Sequence, residues 1–195
     1  YYAKQDAEKL SGKGDTSQKL TLMKTSADSL KKSADALNDS SLWEKKKIKK
    51  KDEKTGEEIE VEDYDWDKIT KAVKSFVEDY NDVVKEAGES NTKDVLRNAS
   101  WMTGMTDKNS NMLAKIGITI GKGNKLELDE DALKQADISS LKTVFTGYNS
   151  FVSKISQKAT GISNAANWAS ATYTNNGTYS KTDSSLTSSK IDKEV

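Results

Sequence analysis

The chain has 195 residues, of which 34% are hydrophobic and 32% are charged, and its 31 basic and 31 acidic residues leave a net charge of zero. A neutral chain has no overall attraction to nucleic acid or anionic membranes, and no run approaches the roughly 18 apolar residues of a transmembrane helix. The absence of Cys, His and Pro excludes disulfides, thiolate nucleophiles, imidazole bases and Cys- or His-based metal sites, and it favours long helices.

The first predicted element is a helix over residues 16–38, after a polar stretch over residues 1–15 that we interpret as a frayed helical lead and a loop. Thr16 or Ser17 is suited to cap the helix. Its apolar residues recur at alternating intervals of three and four, the heptad seam by which one helix packs along another. These seam residues are Leu20, Met23, Ala27, Leu30, Ala34 and Leu37.

Residues 42–63 predict a charged β-hairpin. A lysine-rich run over residues 45–51 is followed by Gly56 and by an acidic run in which Ile59 and Val61 alternate with acidic residues. Antiparallel pairing would place Lys opposite Glu, at about 0.2–1 kcal/mol for each good pair, and Gly56 would supply the positive φ of a short turn. A nucleic-acid patch formed by the lysines is the alternative, which the neighbouring acidic strand disfavours because it neutralises them.

The clearest helix is predicted over residues 65–87, with Asp65 as its N-cap and Gly88 as the C′ residue that ends it. Its apolar stripe is too wide for a seam between two helices, so we expect this helix at the centre of the core. The stripe consists of Trp66, Ile69, Val73, Phe76, Val77, Tyr80, Val83, Val84 and Ala87.

Short helices and a second small hairpin are predicted between residues 92 and 147. The hairpin is expected from two alternating segments, residues 118–120 and 126–128, which are joined by a Gly-containing turn. Asp129 and Asp137 follow it in the chain, and each is suited to cap a short helix.

A second heptad seam is predicted in a helix over residues 148–173. Its many alanines allow close approach but bury little area, so such a seam gains stability mainly by adding partners. The residues of this second seam are Tyr148, Val152, Ile155, Ala159, Ile162, Ala166, Ala169 and Tyr173.

Residues 175–195 are almost free of apolar side chains and are expected to form a disordered polar tail. Because residue 1 is Tyr rather than Met, we expect the chain to be part of a longer protein.

The two matched seams allow two interpretations, which are compatible with each other. They are the core faces of an ordinary helical bundle, or they are contacts with other subunits of an assembly. The predicted fold class is mainly α: an elongated helical bundle or coiled coil of the N- and C-terminal helices, with two small β-hairpins. We expect one elongated domain over residues 1–174, with the hairpin at 42–63 as an appendage.

Three segments carry a resemblance to a known family. They are Ala-Val-Lys-Ser-Phe-Val-Glu-Asp-Tyr-Asn at 72–81, the run through Ile-Gly-Ile-Thr-Ile at 112–136, and Leu-Lys-Thr-Val-Phe at 141–145. In this order they resemble the C-terminal part of flagellar hook-associated protein 2, the filament cap, over approximately residues 42–147. The domain that this family usually inserts before the region is not visible here. Its charged C-terminal coiled coil is replaced by a helix rich in Ser, Ala and Asn.

The resemblance implies a helical domain whose terminal helices dock into a tubular polymer, and it brings no catalytic residues. We therefore expect a structural component of an extracellular bacterial filament, located on the flagellum or cell surface. Its expected partners are copies of itself or related filament and hook proteins, bound through the terminal helices, with no nucleic acid and no membrane insertion.

No catalytic or cofactor-binding motif is present, including the Walker, GxGxxG, HExxH, GxSxG and EF-hand patterns, so we expect neither an enzyme nor a cofactor or metal. The alternative function is a cell-surface adhesin or carbohydrate-binding module that uses exposed aromatic side chains. Trp66 and Trp101 are predicted to be core residues, whereas Trp43 and Trp168 have no predicted place in the core.

Overall fold

The computed structural model describes residues 14–51 and 56–172. In this part of the chain it is mainly α-helical, with seven α-helices and two antiparallel two-stranded sheets, which confirms the predicted fold class. The predicted tail at 175–195 lies outside the described residues. The helices are α1 Ser17–Asn38, α2 Trp66–Gly88, α3 Lys93–Lys108, α4 Ser110–Ala114, α5 Glu130–Gln135, α6 Ile138–Phe145 and α7 Phe151–Thr172. The strands are β1 Lys46–Lys51, β2 Glu58–Asp63, β3 Ile118–Ile120 and β4 Leu126–Leu128.

Helix α1 begins where its sequence predicts. The Thr16 hydroxyl accepts a hydrogen bond from the Lys19 N–H at 3.2 Å, so Thr16 rather than Ser17 is the N-cap. After α1 the chain makes a short 3₁₀ turn that ends at Trp43. The Trp43 ring is buried and stacks on Phe145 with 5.4 Å between centroids, while its indole N–H donates to the Leu37 carbonyl at 2.8 Å. This tryptophan therefore belongs to the core, which the sequence did not predict.

Helix α2 crosses the centre of the core, as its wide apolar stripe predicts. Asp65 caps it by accepting from the Lys68 N–H at 3.1 Å. The prediction for Gly88 is wrong, because Gly88 is the last helical residue and Glu89 closes the helix in a right-handed conformation. The residues that α2 buries are Ile69, Thr70, Val73, Phe76, Val77, Tyr80, Val83 and Ala87.

Two polar side chains of α2 connect it to later elements. The Tyr80 hydroxyl donates to the Thr106 hydroxyl at 2.9 Å, and burial raises the pKa of Tyr80 to about 12. The Asn81 side chain forms a pair of hydrogen bonds with the backbone of Leu126, at 2.7 and 2.8 Å, and so satisfies one residue of β4. The Tyr-Asn end of the segment at 72–81 therefore holds α3 and the second hairpin against the central helix.

Both predicted hairpins are present. Strand β1 pairs with β2 in a register that places Lys47, Lys49 and Lys51 opposite acidic residues, and Gly56 has the predicted positive φ of 72°. Strand β3 pairs with β4 in antiparallel register, with Ile118 opposite Leu128 and Ile120 opposite Leu126. Asp129 and Asp137 cap α5 and α6 through their carboxylates, as predicted.

The prediction that Trp101 is a core residue is wrong. Trp101 lies on the outer side of α3 and is 44% exposed, and its ring is covered by the Lys158 ammonium 4.5 Å from the ring centroid. The inward positions of α3 are instead filled by Val95, Ala99 and Met102. Trp66 is half-buried and packs on the edge of the core.

Candidate assembly surface

Helices α1 and α7 pack against each other along their length, in an antiparallel orientation fixed by two hydrogen bonds. The Ser163 hydroxyl donates to the Asp28 carboxylate at 2.6 Å, and the Ser156 hydroxyl donates to the Asp35 carboxylate at 2.7 Å. The two positions are one heptad apart on each helix and follow each other in opposite directions. The pair therefore keeps one register across this heptad.

Each of these aspartates also accepts from a lysine one turn earlier on α1. Lys24 lies 2.5 Å from the Asp28 carboxylate, and Lys31 forms the same i,i+4 pair with Asp35. Partial burial raises the pKa of both carboxyls. The hydrogen bonds from lysine and serine outweigh that effect and hold each pKa below its ordinary value. Both aspartates are therefore ionised acceptors at neutral pH.

The predicted seam of α1 is buried in the core of the folded chain. All six of its residues are buried against α7 and α2. They are Leu20, Met23, Ala27, Leu30, Ala34 and Leu37. A partner subunit could therefore reach them only if α1 separated from the bundle.

The predicted seam of α7 is buried in the same way from Val152 to Ala166. Its buried residues lie against α1 and α3, whereas Ala169 is half-buried and Tyr173 lies outside the described residues. The buried members are Val152, Ile155, Ala159, Ile162 and Ala166.

Tyr148 does not belong to the seam, and its predicted place in the helix is wrong. Its side chain is 83% exposed, and α7 begins three residues later at Phe151. Gly147 has a φ of 100°, and the Ser150 hydroxyl accepts from the Ser153 N–H at 3.2 Å as an N-cap does. This cap starts a new helix, so the heptad spacing before Phe151 has no structural counterpart.

Asp15 is a structural residue that the sequence analysis missed. Its carboxylate accepts from the hydroxyls of Ser90 and Thr92 at 2.7 Å and from the N–H groups of Asn91 and Thr92 at 2.9 Å. These residues form the turn before α3, so Asp15 acts as the cap that Thr92 itself does not supply. Burial raises the pKa of Asp15, but these hydrogen bonds outweigh burial and leave it below the ordinary value.

Exposed apolar side chains mark one end of the α1–α7 pair. Leu22 is 50% exposed on α1 and Trp168 is 74% exposed on α7. In the register set by Asp28 and Ser163, Leu22 lies opposite Ala169, one residue from Trp168. We call this the Leu22–Trp168 end, where α1 begins and α7 ends. Tyr148 lies near the opposite end of the pair.

The described residues contain neither a metal-binding cluster nor a membrane-spanning helix. Within residues 14–51 and 56–172, no group of three His, Cys, Asp or Glu side chains is arranged to hold a metal ion. No helix in these ranges combines the length and the apolar character that crossing a bilayer requires.

The family model for the C-terminus of flagellar hook-associated protein 2 matches residues 90–194, more than half of the chain. The chain belongs to this family. Comparisons with curated proteins and with solved structures gave no match. The family consists of structural components located at the tip of the flagellar filament, and it is not known for enzymatic activity.

The family match confirms the resemblance and also changes its extent. It begins at Ser90, before α3, and so leaves out the segment at 72–81, which is part of the resemblance described above. It continues through α7, the helix whose Ser-, Ala- and Asn-rich composition departs from the family's charged coiled coil. The α1–α7 pair thus contains one helix inside the matched range and one outside it.

Proposed function

We propose that this member of the hook-associated protein 2 family is a structural part of the filament tip that attaches to filament subunits through the Leu22–Trp168 end. The observation that supports this proposal is the exposure of Leu22 and Trp168 on neighbouring turns of the two terminal helices. Exposed apolar residues are unremarkable singly. A large aromatic and a leucine on adjacent helices resemble the anchors of protein interfaces, which are enriched in tryptophan.

The buried seams have an indirect role in this proposal. Separating α1 from α7 would expose fully buried residues such as Leu30 and Ile155, at about 25 cal/mol for each Å² of apolar surface. A pair that stays closed instead presents its outer surface as a rigid unit. The seam residues then position Leu22 and Trp168 relative to each other without touching the partner.

The adhesin alternative has less support from the side-chain positions. Trp43, one of the two tryptophans that suggested a sugar-binding face, is buried under Phe145. Trp101 is covered on one face by Lys158. A stacking platform for sugars would have to be built around Trp168.

Filament co-sedimentation tests the proposal. Flagellar filaments from the source bacterium are mixed with the purified chain, pelleted and labelled with antibody to locate bound chains. We expect the wild-type chain to pellet with filaments and label their ends, and the L22S/W168S variant to stay in the supernatant. The Y148S variant is the matched control, because it removes an exposed aromatic side chain from the other end of the pair.

Three outcomes would contradict the proposal. They are a wild-type chain that does not bind filaments, equal binding by L22S/W168S and wild type, and loss of binding by Y148S alone. Circular dichroism of each variant checks that the helices are intact. Binding of the wild-type chain to cell-surface polysaccharide in place of filaments would favour the adhesin alternative.

A further inference from the structure

The first hairpin separates its charges by strand. Strand β1 reads Lys-Lys-Ile-Lys-Lys-Lys, and β2 reads Glu-Ile-Glu-Val-Glu-Asp. One strand is therefore basic and the other is acidic. Neither the seams nor the Leu22–Trp168 end accounts for this pattern.

The two faces of the hairpin differ. One face holds three cross-strand Lys–Glu pairs and no apolar side chain. The other face has Ile48 opposite Val61 at its centre, with Ile59 next to them and 41% exposed. The three pairs of the charged face are Lys47 with Glu62, Lys49 with Glu60, and Lys51 with Glu58.

The hairpin has two open edges of opposite charge. Among the described residues, β1 and β2 have only each other as hydrogen-bonded neighbours. Within the described ranges, the outer edge of β1 has no strand beside it and its side chains are mostly lysines, while the outer edge of β2 has no strand beside it and its side chains are mostly acidic. Open edges are templates for pairing with another chain. Charge normally prevents such pairing when every edge carries the same sign.

We propose that β1 of one copy pairs with β2 of a neighbouring copy, so that successive chains associate head to tail. Pairing of two β1 edges would place Lys beside Lys, and pairing of two β2 edges would place Glu beside Glu, both of which are unfavourable. Only the mixed pairing, in the intramolecular register, sets Lys47, Lys49 and Lys51 beside an acidic residue on both sides. An antiparallel neighbour in the intramolecular register would also cover Val61 with Ile48.

This contact is heterologous, because it uses two different surfaces of the same chain. Heterologous contacts form closed rings or open helical arrays, whereas isologous contacts stop at a dimer. A head-to-tail contact therefore suits a protein that forms part of a polymeric structure. This contact involves neither Leu22 nor Trp168. It can therefore be tested independently of the proposed attachment to filaments.

A charge-swapped variant, in which the hairpin keeps its internal Lys–Glu pairs, tests the pairing between copies. The variant K47E/K49E/K51E/E58K/E60K/E62K exchanges the signs of the two strands but keeps every Lys–Glu pair within the hairpin. We expect it to self-associate like the wild type when each is studied alone by sedimentation velocity, at concentrations up to about 1 mM. In a mixture of the two chains carrying different fluorophores, we expect them to sort into separate assemblies, because mixed neighbours place like charges together.

A neutralised chain gives the second measurement. The K47Q/K49Q/K51Q variant should self-associate more weakly than wild type. The K115Q/K122Q/K125Q variant is the matched control, because it removes three exposed lysines elsewhere and should behave like wild type. Self-association of the wild type should also weaken with added salt, since exposed charge pairs are screened.

Each contrary result would overturn the proposal. These results are a wild-type chain that stays monomeric up to about 1 mM, swapped and wild-type chains that mix as readily as they self-associate, and a neutralised chain that associates like its matched control. Self-association abolished by L22S/W168S but unaffected by the hairpin variants would also overturn it. Filaments are absent from these measurements, so their outcome does not depend on filament binding.

Discussion

Ser163 donates a 2.6 Å hydrogen bond to Asp28 across the interface of the two terminal helices, and Ser156 repeats the contact with Asp35 one heptad away. Between the two contacts, the interface contains the small buried residues Ala34 and Ala159. Small seam residues offer little steric resistance to sliding of one helix along the other. The polar pairs therefore help to set the register, in the way that single polar positions do in coiled coils.

The first prediction concerns these pairs. The S156A and S163A substitutions should each lower the free energy of unfolding by about 0.5–1 kcal/mol, because each hydrogen bond has a charged acceptor that is half exposed. Ser100→Ala, at an exposed position on α3, is the matched control and should have no effect. Urea denaturation measures all three. A coupling energy of zero between S163A and D28A in a double-mutant cycle would contradict the assigned contact.

The second prediction tests burial of the α1 seam. Leu30 is fully buried at the α1–α7 interface, so Leu30→Asp should lower the free energy of unfolding by more than about 3 kcal/mol. Leu22→Asp makes the same chemical change on the same helix at a half-exposed position. It should cost less than about 0.5 kcal/mol. Equal melting temperatures for the two variants would show that the terminal helices are not mutually buried.

The third prediction concerns the pH dependence of the Asp15 cap. Because the folded-state pKa of Asp15 lies below its unfolded value, its contribution is complete above the unfolded pKa and is lost as the pH falls through the folded pKa. Asp15→Asn should therefore cost about 1–2 kcal/mol at neutral pH. The difference from wild type should shrink as the pH falls below the ordinary Asp pKa of 3.8. A difference that stays constant with pH would refute the role of the carboxylate charge.

The fourth prediction compares two helical glycines. An added methyl at Gly104 would meet nothing within 4 Å, so Gly104→Ala should stabilise the chain by up to about 1 kcal/mol. A Cβ at Gly161 would lie 2.8 Å from the Asn98 side-chain oxygen, where α7 passes α3. Gly161→Ala should gain less than Gly104→Ala or lose stability. Thermal unfolding compares them, and an equal gain at both positions would contradict the close approach of the two helices.

Local sequence signals predicted much of the fold. The caps at Asp65, Asp129 and Asp137 act within three residues, so each helix start could be inferred from its neighbourhood. The charged hairpin was predictable because a lysine run and an acidic run that alternates with Ile59 and Val61 flank Gly56. The heptad pattern likewise predicted which residues of α1 are buried.

Features that depend on distant residues could not be predicted in this way. Asp15 caps a helix whose first residue is Lys93, and no local pattern connects the two. Trp43 is buried because the chain places Phe145 against its ring. Trp101 is exposed because smaller residues fill the inner face of α3. The Asp28 and Asp35 contacts did have a signal. Aspartates and serines recur at heptad spacing beside the two seams, and they indicate register once the helices are known to be antiparallel.

The central claim is that the Leu22–Trp168 end contacts filament subunits. Photo-crosslinking tests it most directly, with a photoreactive amino acid placed at position 168 in one chain and at position 148 in another, each bound to filaments of the source bacterium. We expect a covalent adduct with the filament subunit from position 168 and none from position 148. Adducts from position 148 alone, or from neither position while the chain is bound, would contradict it.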